Sequence, residues 1–285
     1  MKKIIVPILL ACFAIYYILP LLATILYASS TTWSKSLLPE GITLRWFQQL
    51  LHDRAFFAAV GRSLLLATVV LLAILFIMVP TIIWVNLFFP KISSVMEKLV
   101  LLPYAIPGVI LVTALLRTYS KTPISMFIVL VGALFVMALP LVFLGITNQM
   151  RLINVKELIE AASTLGAPMR TVLFQILFPS IRIGTTLVSL MVFSSVFGEY
   201  MLTNLLIGGR FETLRIYMLR RMNENGHLAS AVMVLYLIFM IVIALTTFFV
   251  MNRQKKQLFR LKAKIAADDL SLSEGVVVSN VLEHS

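Results

Sequence analysis

The sequence has almost none of the residues on which most soluble enzymes and secreted proteins depend. It holds one cysteine, Cys12, so neither an intrachain disulfide nor a cysteine-based metal site is possible. Its histidines are His52, His227 and His284, and the absence of an H-E-x-x-H pair removes support for metal hydrolysis. No G-x-x-x-x-G-K-[ST] segment is present, so the chain has no P-loop for ATP. We therefore expect no catalytic residues, no metal site and no cofactor bound by this chain.

Charged residues are also scarce. They make up 13% of the 285 residues, whereas soluble proteins carry about 25%. Hydrophobic residues reach 60%, against about 45–50% in soluble chains. One soluble domain of this length cannot bury so much apolar surface, and disorder requires low hydrophobicity. The composition predicts a membrane protein with several spans.

The few charges are mostly positive. The 24 Lys and Arg residues outnumber the 12 Asp and Glu residues and give a net charge of +12. In a membrane protein such an excess flanks the spans on the cytoplasmic side, so we expect lipid and not nucleic acid as the partner of these residues.

Six long apolar stretches predict an all-α fold with six transmembrane helices. They are Ile4–Tyr27, Ser63–Val85, Leu99–Leu116, Ile124–Ile146, Ile183–Ile207 and Leu228–Met251. A spanning helix needs roughly 17–25 residues, and the third stretch only just qualifies. Transmembrane barrel strands, which are about 10 residues of alternating polarity, do not fit. The one charged residue inside the six stretches is Glu199.

The distribution of basic residues predicts the topology. With the N-terminus in the cytoplasm, 14 basic residues lie inside and 10 outside, and the densest cluster, six residues between Arg253 and Lys264, follows the last span. We therefore expect both termini in the cytoplasm and a transmembrane domain over residues 1–264. Residues 265–285 carry four acidic residues and no Lys or Arg, which predicts a solvated tail.

The predicted cytoplasmic loop at residues 147–182 has a helix–turn–helix pattern. Residues 156–165 are good helix formers with one apolar stripe. The stripe consists of Leu158, Ile159, Ala162 and Leu165. Gly166 is expected to end this helix, Pro168 to begin the next, and Pro179 to end that one before the fifth span. From physical reasoning alone, the loop either packs on its own bundle or docks a cytoplasmic partner.

The loop resembles the E-A-A loop of permease subunits from binding-protein-dependent ATP-binding-cassette (ABC) importers. The family pattern is E-A-A, three residues, G, nine residues and I-x-L-P. The matching residues are Glu160, Ala161, Ala162, Gly166, Ile176 and Pro179. Every spacing is kept, and Phe178 stands where the family usually has leucine. The resemblance extends to the six-span layout and to Leu102–Pro107, so it covers most of the chain except the acidic tail.

The resemblance implies a transport function without enzymatic activity of the chain itself. In the family, the loop docks into a groove on the ATPase subunit, and ATP-driven closure of two ATPases switches the bundle from inward-facing to outward-facing. Glu160 is implied as a polar contact, Ala161 and Ala162 as the closely packed surface, and Gly166 as the turn. The implied partners are ATP-binding cassette subunits that hold ATP and magnesium, a second identical or homologous permease, and an extracytoplasmic substrate-binding protein. The implied location is the bacterial cytoplasmic membrane.

Glu199 is the candidate for the substrate path, because a charged residue in a span is costly and is expected to face the bundle interior or a cavity. With Tyr200 it either lines the path or serves a structural role as a paired or protonated carboxyl. The stretch Gly198–Gly209 resembles permeases for spermidine/putrescine and ferric iron, and G-E-aromatic also occurs in the sulfate and molybdate group. A carboxylate suits a cation, so polyamines are the expected substrates, with ferric iron or an oxyanion as alternatives.

Two predicted outer segments carry further expectations. Leu44–Leu51 either lies flat on the membrane interface through Trp46 and its apolar neighbours or packs on the bundle. Thr213–Glu224 is predicted to form a short helix. The four arginines in and next to this segment are expected to face an acidic surface on the binding protein. They are also expected to form ion pairs within the segment, Glu212 with Arg215 and Arg221 with Glu224.

A self-contained secondary transporter is the less favoured alternative. It predicts paired intramembrane acids and bases or inverted repeats with broken helices, and the sequence has one intramembrane acid and no clear repeat. An intramembrane enzyme is disfavoured too, because no aspartate lies in any predicted span.

Overall fold

The computed structural model describes residues 2–33 and 39–253, and this part of the chain is almost entirely helical. The predicted acidic tail and the basic cluster that follows Arg253 lie outside the described residues. The helices are α1 (Lys2–Ala28), α2 (Arg45–His52), α3 (Arg54–Phe88), α4 (Pro90–Leu99), α5 (Leu102–Ala105), α6 (Gly108–Tyr119), α7 (Met126–Leu152), α8 (Val155–Thr164), α9 (Met169–Phe197), α10 (Met201–Leu206), α11 (Leu214–Glu224) and α12 (Gly226–Arg253). Strands β1 (Ser30–Thr32) and β2 (Glu40–Ile42) form a small antiparallel hairpin, with Ser30 opposite Ile42.

Four helices, α3, α7, α9 and α12, are long and apolar enough to cross a membrane. A fifth span is present if the bent pair around Pro107 counts as one crossing. The predicted all-α class with several spans is confirmed at this level. The first helix contributes a shorter apolar segment, Cys12–Ala28, so the number six stays a prediction.

The third predicted span, Leu99–Leu116, is not one straight helix. Pro90–Ala105 and Gly108–Tyr119 meet at 87°. Ile106 is extended (φ −89°, ψ 118°), because the ring of Pro107 disfavours a helical conformation in the residue before it. The bend turns the polypeptide sharply at a point that hydropathy alone reads as continuous.

The fifth predicted span, Ile183–Ile207, is also interrupted. Helix α9 ends at Phe197, and α10 begins at Met201. Glu199 therefore lies in the break between two helices and not within a continuous span, which corrects its predicted position.

Helix α9 packs closely against α3 and α7 to form the centre of the bundle. Phe143 and Ile146 of α7 are fully buried, and Val188 and Val192 of α9 are nearly so. A Cβ at Gly145 of α7 would overlap the side chain of Val188, so the two helices approach as closely as a glycine allows.

Replacing Gly145 with leucine is therefore expected to force α7 and α9 apart. Overpacking of a close-packed interior typically costs about 1–3 kcal/mol, so the purified chain should unfold at a lower temperature in detergent. Gly61→Leu is the matched control, because a Cβ at Gly61 meets no atom within 4 Å. Equal melting temperatures for the two variants would contradict this account of the packing.

The segment around α2 packs on the bundle instead of lying free on its surface. Leu50 is fully buried and Trp46 is nearly so. The indole Nε1 of Trp46 donates to the carbonyl of Ser30 over 2.9 Å, and its ring stacks on His227 of α12. Of the two expectations for this segment, packing on the bundle is the one that the structure supports.

Candidate coupling loop and transport cavity

The two ends of the bundle can be told apart by the helices they carry. Helix α7 begins at Met126 and ends at Leu152, just before α8. Near its start, the ring of Phe127 contacts Phe211, just before α11. Its 27 residues correspond to about 40 Å at 1.5 Å per residue. We call the two extremes the α8 end and the α11 end.

Helix α8 is attached to the bundle along one side. Val155 and Ala162 are buried, and Ile159 between them is half-buried. This spacing of i, i+4 and i+7 forms one helix face, which packs against the π-helical turn at Val172–Leu177 in α9.

The other side of α8 is open. Glu160 and Ala161 are exposed, and Leu165 is 87% exposed. The predicted apolar stripe is therefore wrong at two members. Leu158 is exposed, and Leu165 turns outward because α8 ends at Thr164. Ala162, grouped with Ala161 in the resemblance, belongs to the internal packing.

Gly166 makes the turn that the sequence predicts. Its φ is +75°, in the left-handed region that favours glycine. Its N–H donates to the carbonyl of Ser163 (3.0 Å), and the N–H of Ala167 donates to the carbonyl of Ala162 (3.1 Å), closing the end of the helix. A Cβ at Gly166 would meet no atom within 4 Å, so only the backbone conformation requires glycine here.

The second half of the loop differs from the prediction, because Pro179 does not end a helix. Helix α9 continues from Met169 through Pro179 to Phe197. Just before the proline, the N–H of Phe178 donates to the carbonyl of Leu173, five residues back. This wider turn accommodates a residue that has no N–H and whose ring crowds the preceding turn. Ile176 is half-buried and Pro179 is exposed.

A cavity of about 190 Å³ lies next to the break at Glu199. Its walls come from α5, α7, α9 and α10 and are mostly apolar. The lining residues include Tyr104, Leu134, Met137, Val192, Ser195 and Glu199. Glu199 is the one charged residue among the residues that line it, so the predicted carboxylate is next to a space inside the bundle.

The carboxylate of Glu199 already has partners within its own segment. It accepts hydrogen bonds from the N–H groups of Leu202 (2.6 Å) and Thr203 (2.9 Å) and from the hydroxyl of Thr203. These N–H groups are free donors of the first turn of α10, so Glu199 caps this helix. Tyr200 does not line the cavity, and its phenol oxygen accepts from the amide of Asn204 (3.1 Å).

A charged cluster at the α11 end was predicted only in part. Arg221 pairs with Glu224 (2.6 Å), as predicted, and also with Asp53 (3.1 Å). Glu212 pairs with Arg220 (3.2 Å) and not with Arg215, so that pair was predicted wrongly.

Tyr217 belongs to the same cluster. Burial raises the pKa of Tyr217 to about 12, and its hydrogen bond to Asp53 (2.6 Å) acts in the same direction. Partial burial of Asp53 opposes any lowering of its pKa. The hydrogen bond from Tyr217 and the charge of Arg221 nevertheless hold that pKa below its usual value.

An ion pair at the α8 end had no signal in the sequence. Arg151, in the last turn of α7, donates to both carboxylate oxygens of Glu97 in α4, over 3.1 and 2.7 Å. The pair joins residues 54 positions apart, so no periodicity within one helix points to it.

Helix α9 thus carries both candidate regions, the coupling loop at its start and the cavity near its end. Among residues 2–33 and 39–253, no three His, Cys, Asp or Glu side chains are grouped so that they could hold a metal ion. Compared with known proteins, the chain matches no family model and no curated sequence.

Proposed function

We propose that the chain is the membrane-spanning permease subunit of an ABC importer. The observation that supports this most is the form of the loop. The six residues that match the E-A-A pattern lie on a helix, a glycine turn and a second helix at one end of a bundle of apolar helices. The resemblance rests on spacing in the sequence, and the same residues lie within one helix–turn–helix element, in which Glu160, Ala161 and Pro179 are exposed.

The open side of α8 is the proposed docking face. This face includes Glu160 and Ala161 of α8 and the exposed Leu165 directly after the helix. Burying a leucine side chain contributes about 1.5–3 kcal/mol, so a groove on an ATPase subunit gains substantially by covering it. The buried face of α8 keeps the element attached to the bundle, so that movement of the ATPase is transmitted to it.

The cavity beside Glu199 is the proposed part of the substrate path. ATP and magnesium belong to the ATPase subunits, and a second permease and an extracytoplasmic binding protein complete the importer. The chain then lies in the cytoplasmic membrane of a bacterium with both termini inside. The solute moves inward when the docked loops switch the bundle between its two states.

We propose a polyamine of the spermidine/putrescine type as the solute. The support is the single carboxylate among apolar cavity walls, since a buried negative charge favours cations and repels oxyanions. Ferric iron is also a cation that a carboxylate would favour, so it is the nearest alternative solute. Uptake assays with spermidine, putrescine, ferric iron, sulfate and molybdate in cells with and without the chain distinguish these solutes.

The test of the proposal is purification of the tagged chain from its native membrane. We expect an ATPase with a P-loop to accompany it, identified by mass spectrometry and by ATP hydrolysis. Leu165→Asp should reduce the recovered ATPase about tenfold or more. The substitution removes the about 1.5–3 kcal/mol that burial of the leucine would contribute to docking, and it places a charge in the contact.

Leu51→Asp is the matched control for this experiment. Leu51 is 61% exposed and lies in α2, toward the α11 end, so its replacement should leave the recovery of ATPase unchanged. Solute uptake by the purified chain alone, driven by an ion gradient, would contradict the proposal and favour a self-contained transporter.

A further inference from the structure

Helix α4 occupies a position between the coupling loop and the cavity. It follows α3 after a break at Phe89, lies at the α8 end, and leads through α5 to the 87° bend. Its Glu97 contacts Arg151 in α7, the helix that precedes α8, although α4 ends more than 50 residues before α8 begins.

The first connection is the ion pair between Glu97 and Arg151. The two terminal guanidinium nitrogens each donate to a different carboxylate oxygen, a bidentate geometry that fixes orientation as well as distance. Arg151 lies four residues before the start of α8. Exposed ion pairs of this kind add little to folding stability. The fixed geometry of this pair instead serves to position α4 relative to α7.

The second connection is a chain of hydrogen bonds at the other end of α4. The hydroxyl of Ser93 donates to the amide oxygen of Asn86 (3.0 Å), and the amide nitrogen of Asn86 donates to the hydroxyl of Thr147 (3.1 Å). Ser93 and Thr147 are buried. This chain joins α4, α3 and α7 and holds the beginning of α4 in place.

Between these two connections lies a cavity of about 430 Å³, and α8 forms one of its walls. Ser94 of α4 and Val155 and Lys156 of α8 line it from different sides. Space thus separates this part of α4 from the start of α8, and Arg151, which also lines the cavity, provides the charged link to α4.

At its far end, α4 leads to the transport cavity. Tyr104 of α5 lines that cavity together with Glu199. Beyond the bend, a Cβ at Gly108 would lie 3.1 Å from the sulfur of Met201, the first residue of the helix that Glu199 caps. One wall of the cavity belongs to α9, whose first residues are part of the loop. Tyr104 lies on another wall and is connected to the loop through α4.

We propose that Glu97 and Arg151 are positioning residues that carry movement of the docked loop through α4 to Tyr104. The inference rests on the proposed function and specifies how that function reaches the cavity. With the pair intact, a shift of α7 and α8 moves α4, and the wall at Tyr104 moves relative to α9. Without the pair, the loop still docks, but its movement is not passed to α4, because the cavity separates α4 from α8.

The experiment follows the accessibility of residue 104 during ATP binding. Cys12 is the only cysteine, so a Cys12→Ser, Tyr104→Cys chain carries a single thiol. The tagged chain is purified with its associated subunits in lipid nanodiscs. The rate of reaction with a charged maleimide is measured without nucleotide and with ATP plus vanadate. We expect ATP to change this rate in the parent and Glu97→Gln to reduce the change about tenfold, within the usual range of coupling between sites.

Two further variants separate positioning from damage to the fold. Lys98→Gln removes an exposed charge from the same helix and should keep the full response to ATP. The exchanged pair, Glu97→Arg with Arg151→Glu, should recover most of the response that either single change removes. A Glu97→Gln chain that responds to ATP as the parent does, or an exchanged pair that responds no better than the single variants, overturns the inference.

The two proposals fail in different ways in this experiment. If no ATPase accompanies the parent chain, the proposed function is contradicted and the positioning role with it. If an ATPase accompanies it and ATP leaves the labelling rate of residue 104 unchanged, the positioning role alone is contradicted. If the parent responds and Glu97→Gln responds equally, the positioning role alone is contradicted and the importer function stands.

Discussion

Replacing Gly166 with valine is expected to release the chain from the proposed ATPase subunit while the bundle stays folded and inserted. The left-handed conformation of Gly166 (φ +75°) costs other residues roughly 1–2 kcal/mol, and the β-branched valine is among the least compatible with it. The turn would therefore rearrange and change the angle between α8 and the start of α9. The docking face of α8 would then be held at a different angle to the bundle.

The measurement is the recovery of ATPase with the purified chain, alongside ATP-driven solute uptake. We expect uptake to fall to background for Gly166→Val and to remain substantial for Gly166→Asn, since asparagine tolerates the left-handed region better. Gly132→Val is the matched control, because Gly132 has no positive φ and a Cβ there meets no atom within 4 Å. Normal coupled uptake by Gly166→Val would contradict the role assigned to this turn.

Replacing Glu199 with glutamine is the second change with a large expected effect. Both carboxylate oxygens accept hydrogen bonds from donors in the first turn of α10. Glutamine replaces one carboxylate oxygen with an NH₂ group, which would face a backbone N–H that is also a donor. Losing hydrogen bonds to a charged group costs about 1.5–3 kcal/mol. Helix α10 should fray, and uptake of polyamine should fall about tenfold or more.

The companion variant Thr203→Val separates the two functions of Glu199. It removes the hydroxyl that donates to the carboxylate and leaves the charge unchanged. If capping of α10 limits uptake, Thr203→Val reduces the uptake of every solute in the same direction as Glu199→Gln, by a smaller factor. If contact with a cation limits uptake, Thr203→Val transports nearly as well as the parent. Full polyamine uptake by Glu199→Gln would exclude both roles.

Local backbone features were predictable from the sequence where one residue type determines them. Gly166 ends α8 as expected, because a turn with positive φ strongly favours glycine. The helix ending before Asn225 was likewise placed correctly, with α11 extending to Glu224. Strongly apolar stretches gave the spanning helices for the same reason, since composition over about 20 residues suffices for that prediction.

Interruptions within apolar stretches were not predictable in the same way. Hydropathy depends on composition and carries no information on backbone conformation. The stretches that contain the bend before Pro107 and the break at Glu199 were therefore both predicted as continuous spans. Pro179 shows the opposite error. A proline is expected to stop a helix, but the wider turn ahead of it lets α9 continue.

Contacts between distant segments were the least accessible to sequence reasoning. The carboxylate of Asp53 lies beside Tyr217 and Arg221, and Glu97 lies beside Arg151, only because the bundle brings these helices together. Glu199 was recognised from the sequence as the one charge in an apolar stretch, but its position in a helix break and its hydrogen-bond partners depend on where α9 ends.

The continuity of α9 through Pro179 has a mechanical consequence. The helix has 29 residues, so it is a rod of at most about 44 Å, whereas the hydrocarbon core of a bilayer is about 30 Å thick. Roughly a third of the rod then projects from the lipid. For the proposed permease, the bilayer is then the fulcrum of a lever, and the third of the rod that projects from the lipid is its shorter arm. In the proposed importer, a tilt imposed at Met169 displaces Phe197 in the opposite direction, without any hinge between them.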